Sequence, residues 1–168
     1  MLYRRFYGLI NPDTFLLLYL THVRPRLEYA AVVWDPQQQG LKTSLENIQK
    51  FALRACTRDW KADYITLLDR CKVPTLAQRR QFMKLCFMYQ VVNQLLVFPS
   101  EFTERWALSR SLRNSSSFDL QRPTCPTSAH QFSFFPHTIE LWNRLTQDIQ
   151  SCGSLTSFKR NLSNSIKS

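Results

Sequence analysis

Leu41-Lys42-Thr43-Ser44-Leu45-Glu46-Asn47-Ile48-Gln49-Lys50-Phe51-Ala52-Leu53-Arg54-Ala55-Cys56-Thr57-Arg58 repeats apolar residues at Leu41, Leu45, Ile48, Ala52 and Ala55. Spacings of three and four match the α-helical turn, so this stripe is predicted to face a core. Lys42, Glu46, Lys50, Arg54 and Arg58 recur every four residues on another face. The Glu46-to-Lys50 order supports the helix by roughly 0.2–0.5 kcal/mol. The basic row has two readings, a solvated face or a line of phosphate contacts.

Towards the N-terminus, a helix is expected to start near Asn11, with Pro12 in its first turn and Asp13 favourable to the dipole. Phe15, Leu16, Tyr19 and Val23 form its apolar face, and Pro25 predicts a kink or break. A continuation through Leu27, Ala30, Ala31 and Trp34 stops at Asp35-Pro36. Towards the C-terminus come a short helix around 64–69 and a longer one opened by Pro74, from Thr75 to about Leu96. Between Phe82 and Tyr89 the latter is apolar nearly all round apart from Lys84, which predicts a central helix. From 98 to 131 the periodicity dissolves into a serine-rich basic loop containing Arg105, Arg110 and Arg113. Phe118 and Leu120, then Phe132 and Phe134, alternate with polar residues, which predicts a two-stranded ribbon around Pro123–Ser128. Pro136 is expected to open a helix carrying Ile139, Trp142, Leu145 and Ile149. Gly153 ends it, and Ser154 caps a last helix with Leu155, Phe158, Leu162 and Ile166. The fold class is mainly α, a helical bundle with a small β-hairpin and two C-terminal helices.

The 168 residues, 44% hydrophobic and 13% aromatic, are enough to bury a core without metals or disulfides. The three glycines, Gly8, Gly40 and Gly153, are too far apart for a phosphate-cradling loop. Five cysteines at positions 56, 71, 86, 125 and 152 form no CxxC or CxH pair and read as reduced thiols; no metal site is expected. The longest apolar run, Phe15–Leu20, is too short to span a membrane. A net charge of +10 favours polyanionic partners, nucleic acid or an anionic surface. Together these predict an intracellular protein of nucleus and cytoplasm, with no membrane and no small-molecule ligand.

Catalytic groups are hard to find. Two-metal phosphoryl chemistry needs neighbouring carboxylates, and the chain contains no Asp-Asp or Asp-Glu pair. His22, His130 and His137 lie in no nucleophile signature. Met83 and Met88 read as core filler, and Trp34, Trp60 and Trp142 as core anchors rather than stacking platforms.

Several stretches resemble the region that follows the catalytic palm in reverse transcriptases of LINE-type (non-LTR) retrotransposons, especially the jockey and chicken-repeat groups. They are Leu2-Tyr3-Arg4-Arg5-Phe6-Tyr7; Leu18-Tyr19-Leu20 with Val23-Arg24-Pro25-Arg26-Leu27-Glu28-Tyr29-Ala30; Val33-Trp34-Asp35-Pro36; and Leu45-Glu46-Asn47-Ile48-Gln49-Lys50-Phe51-Ala52. Further on come Leu67-Leu68 with Val73-Pro74-Thr75-Leu76 and Arg79-Arg80, then Phe134-Phe135-Pro136-His137-Thr138-Ile139, Leu141-Trp142-Asn143-Arg144-Leu145, and Ser154-Leu155 with Ser157-Phe158-Lys159. The blocks keep the family's order over nearly the whole chain. Fingers, palm and the paired aspartates of that family are missing, as is its endonuclease, and Thr146 departs from its usual proline. Met1 then reads as an internal methionine of a truncated copy.

The resemblance implies a thumb-like bundle over 1–97, a flexible basic loop over 98–131 and a strand with helices over 132–168. It implies a non-catalytic part of an RNA-directed DNA polymerase that binds template–primer or element RNA. Nucleic-acid contacts are expected from Lys42, Lys50, Arg54 and Arg58, and secondly from Arg79, Arg80 and Lys84. No cofactor is expected in this segment; the parent polymerase would use Mg²⁺. The other readings are a helical protein-interaction module and a decayed reading frame without activity.

Overall fold

A computed structural model describes residues 11–97 and 118–167. It divides into two compact units, Met1–Arg80 and Gln81–Ser168. The division falls inside a helix rather than near residue 97. The protein is mainly α-helical.

In the first unit, α1 runs Pro12–Leu18, with the Asn11 side chain accepting from the Asp13 amide at its start. Pro25 has no N–H to give the carbonyl four residues back, and its ring crowds that carbonyl. The helix answers by widening rather than breaking. Tyr19–Val23 is a π-helical turn, in which the Arg24 amide reaches back five residues to the Tyr19 carbonyl. Helix α2, Arg24–Glu28, follows directly. The expected continuation to Trp34 is interrupted at Ala30, whose φ of 51° turns the chain before α3, Ala31–Trp34.

Helix α4, Gln39–Thr57, is the long element of this unit. Its buried residues are Gln49, Ala52, Leu53, Ala55 and Cys56, with Leu45 partly buried. Leu41 and Ile48, predicted to face inward, are exposed. The buried stripe is therefore rotated towards Gln49 and Leu53, because a polar residue occupies a core position. Helix α5, Tyr64–Cys71, packs Leu67 against Leu53 and Val73, with Leu16, Leu20, Tyr64 and Leu68 around them. Helix α6, Leu76–Val92, gives its first turn to this unit and the rest to the second.

The second unit is built on an aromatic core. Trp142 of α8 (Phe134–Asn143) and Tyr89 of α6 both stack on Phe158 of α10 (Leu155–Lys167), with ring centroids 5.9 and 4.4 Å apart. Leu85, Met88, Ile139 and Leu162 close around them. Ser154 caps α10 as expected, accepting from the Ser157 amide at 3.2 Å. Pro136 lies in the third position of α8, inside the turn whose amides have no helical partner, so it is tolerated there.

The predicted ribbon does not form; among the described residues there is no strand. Thr127 instead caps the short helix α7, Ser128–Gln131. Two prolines, Pro123 and Pro126, remove ladder donors there. The backbone of Leu120 is also held by a side chain. The Asn143 amide accepts from the Leu120 N–H at 3.0 Å and donates to its carbonyl at 2.9 Å, as a neighbouring strand would. The one-turn helix α9, Gln147–Gln150, returns Gln150 to the Trp142 carbonyl at 2.9 Å. The serine-rich loop with Arg105, Arg110 and Arg113 lies outside the described residues.

With so few glycines, helix ends use other residues in left-handed geometry. After α5, the Lys72 amide reaches the Asp69 carbonyl and the Val73 amide reaches the Leu68 carbonyl. After α6, Gln94 and Leu95 bond to Val91 and Gln90 in the same pattern. Lys72 and Gln94 have φ of 52° and 54°, where a Cβ is strained. Lys72→Gly should therefore raise stability by about 0.5–1 kcal/mol, seen as a higher urea midpoint with unchanged slope. A lower midpoint would mean that the Lys72 side chain contributes more than its backbone strain costs.

Candidate nucleic-acid interface

The cations singled out from the sequence fall into two groups. Arg79 pairs with Glu28 through both Nε and one terminal nitrogen, the second contact at 2.7 Å. That hydrogen bond pushes the Arg79 guanidinium above its ordinary value, against the opposing effect of burial. Arg80 is 2% exposed and holds Asp35 at 2.7 Å, with Glu46 at 4.0 Å. Lys84, also 2% exposed, places its Nζ 3.3 Å from His137 Nδ1. Burial leaves Arg80 and Lys84 no surface from which to reach a phosphate, contrary to the expectation above. No local signal in the sequence could show this, since Glu28 and Asp35 lie some fifty and forty-five residues from their partners.

These ion pairs border a buried polar network. Glu46 accepts the Leu76 and Ala77 amides at 3.2 and 2.7 Å, the first two of α6, where the helix dipole favours an anion. It also accepts the Tyr64 hydroxyl at 2.5 Å. The same helix end carries a local capping box. The Thr75 hydroxyl accepts from the Gln78 amide at 3.1 Å, and the Gln78 side chain accepts from the Thr75 amide at 3.0 Å. Fully buried Gln49 accepts from the Tyr19 hydroxyl at 2.8 Å and donates to Tyr64 and to the Pro74 carbonyl, each at 3.0 Å. Sequence reasoning missed Gln49. Its position four residues from Leu45 and four from Leu53, in the middle of the buried stripe, was the available signal.

Lys42, Lys50, Arg54 and Arg58 remain on α4. A four-residue step advances about 40° beyond one turn, so a row at that spacing winds around the helix rather than along one face. Glu46 consequently points into the network, while Arg58 is exposed beyond the helix end. Lys42 and Lys50 are half-buried. Arg54 is drawn inward, donating to the Ala62 carbonyl at 3.2 Å. Phe51, which follows Lys50 in the chain, and Trp60, two residues after Arg58, lie edge to face with ring centroids 5.5 Å apart. Trp142 is a core anchor as predicted, but Trp34 and Trp60 are partly exposed; the Trp34 indole N–H is satisfied by the Tyr29 carbonyl at 2.5 Å.

All five cysteines are thiols. Burial pushes Cys56 up to about 12 and Cys86 up to about 11, which keeps both protonated at neutral pH. Among the described residues no three His, Cys, Asp or Glu side chains gather as a metal site, and no helix is long and apolar enough to cross a membrane. No family model, curated protein or solved structure matches the chain.

Two outcomes follow from the network. Gln49→Leu strands the Tyr19 hydroxyl and the Pro74 carbonyl, leaves the Tyr64 hydroxyl only its bond to Glu46, and should cost about 2–3 kcal/mol in urea unfolding. A loss under about 0.5 kcal/mol would show that water or rearrangement replaces the amide. Burial first, then the hydrogen bond to Glu46, raises the Tyr64 hydroxyl well above its ordinary value near 10. The unfolded chain loses this proton near pH 10 and the folded one does not, so stability is complete below that pH and declines above it. Tyr64→Phe should make the fall in urea midpoint between about pH 8 and about pH 10.5 shallower. An unchanged fall would place the alkaline sensitivity elsewhere.

Proposed function

We propose that this chain is the thumb and post-thumb part of a LINE-type reverse transcriptase and that it binds nucleic acid along the C-terminal half of α4. The observation that carries the reading is the sorting of charge. Glu28, Asp35 and Glu46 are drawn into contacts with Arg24, Arg79, Arg80 and the α6 amides. Arg58 and Lys61 are exposed and Lys50 is half-buried on α4, so the edge at the C-terminal end of α4 presents cations. Such an edge suits a phosphate backbone and carries no base code, as expected of a part that holds a template–primer duplex for chemistry done elsewhere.

The family assignment has separate support. The stretches around Glu28, Asp35, Glu46 and Arg79-Arg80, each of which resembles that family, meet in the first unit through ion pairs and hydrogen bonds. In this reading the palm and its Mg²⁺-binding aspartates belong to the parent polymerase, and no catalytic role falls to this segment. A second reading, a protein-interaction module, is favoured by the exposed apolar residues Leu17, Tyr29 and Val33 on α1 to α3.

The test is fluorescence anisotropy with a labelled RNA–DNA hybrid. Contacts to about six phosphates should weaken binding about a thousandfold between about 50 and about 200 mM salt. Lys50→Glu with Arg58→Glu should weaken it for all sequences alike. Binding that ignores salt, or no binding at low salt, overturns the proposal in favour of the interaction module.

A further inference from the structure

We propose that Phe51 and Trp60 form a stacking platform for the unpaired bases of a single-stranded nucleic acid, with its phosphates held by Lys50, Arg58 and Lys61. This rests on the nucleic-acid reading above and names the substrate class it takes.

Phe51 is 53% and Trp60 41% exposed, and neither belongs to the apolar core of the first unit. Their planes meet at 60°, an edge-to-face pair in which each ring fixes the other's orientation. Phe51 stands on the rigid helix α4. Trp60 stands in the Arg58–Asp63 loop, which is tied down at several points. The Thr57 hydroxyl donates to the Leu53 carbonyl at 3.0 Å. The Asp59 carboxylate accepts the Lys61 and Ala62 amides at 3.2 and 3.0 Å and pairs with Arg70 at 2.9 Å. Arg54 holds the Ala62 carbonyl from the helix side. The indole is thus displayed on a pre-ordered loop, and a base landing on it does not have to order that loop first.

The surrounding charge selects the partner. Lys50 precedes Phe51, Arg58 stands two residues before Trp60, and Lys61 follows it. The acids of this loop are already engaged, Asp59 by Arg70 and the loop amides, Asp63 as the N-cap of α5. Protein-docking patches are depleted of charge at their centre, whereas these rings are flanked along the chain by Lys50, Arg58 and Lys61. Bases in a duplex are stacked on one another and expose only edges and phosphates, so exposed ring faces add nothing to duplex binding. An unpaired base offers a π-face whatever its identity.

The experiment compares Kd values of the full chain for a labelled single-stranded oligouridine and for a blunt duplex of equal length. Trp60→Ala with Phe51→Ala should weaken single-strand binding at least about tenfold while changing duplex binding less than about twofold. Trp60→Phe should recover part of the loss. Unchanged circular dichroism and thermal midpoint show that the variants fold. Loss of both affinities together, or retention of both, overturns the platform and leaves the backbone reading standing. A wild-type chain that binds neither probe overturns both readings, and capture of a protein through the same rings would replace them.

Discussion

Glu46 is a carboxylate largely withdrawn from water and set against the first amides of α6, and the first unit is organised around keeping that charge satisfied. An ion in a protein interior is stable only when hydrogen bonds replace its hydration. Here two backbone amides, the Tyr64 hydroxyl and the nearby Arg80 guanidinium do so. The donors come from α5 and from the start of α6, so satisfying one carboxylate of α4 fixes the placement of α4, α5 and α6 together. Gln49 extends the arrangement to Tyr19 on the π-helical turn, and the two arginines of α6 reach Glu28 and Asp35. Networks of this kind cost stability when one member is missing and specify a single register when complete.

The second unit solves the same problem by apolar means. Trp142, Tyr89 and Phe158 fill its centre, and several polar side chains hold backbone groups around them. Asn143 bonds to both the N–H and the carbonyl of Leu120, the Trp142 indole donates to the Phe118 carbonyl at 3.0 Å, and the Tyr89 hydroxyl donates to the Cys152 carbonyl at 2.6 Å.

Sorting charge inward has a consequence for the surface. Glu28, Asp35 and Glu46 are engaged within the fold, while Arg58 and Lys61 are exposed. Exposed aromatic rings in that setting have a different meaning from rings in a neutral patch, because an approaching polyanion meets attraction at long range and a flat apolar surface at contact.

Much of the fold was legible in the chain itself. The helical spacing of α4, α6 and α10, the caps at Asn11 and Ser154, and disruption of the helix at Pro25 follow from local rules that need only neighbouring residues. Spacing also located the basic row on α4, but not its winding, nor which members would be drawn inward. Those outcomes depended on groups remote in sequence: Glu28 and Asp35 for Arg79 and Arg80, Tyr19 and Pro74 for Gln49, Asn143 for Leu120. Local pattern determined which segments are helical and which residue types they carry. Tertiary structure alone decided which polar side chains are buried, because a charged or amide group can leave water only where distant partners complete its hydrogen bonds.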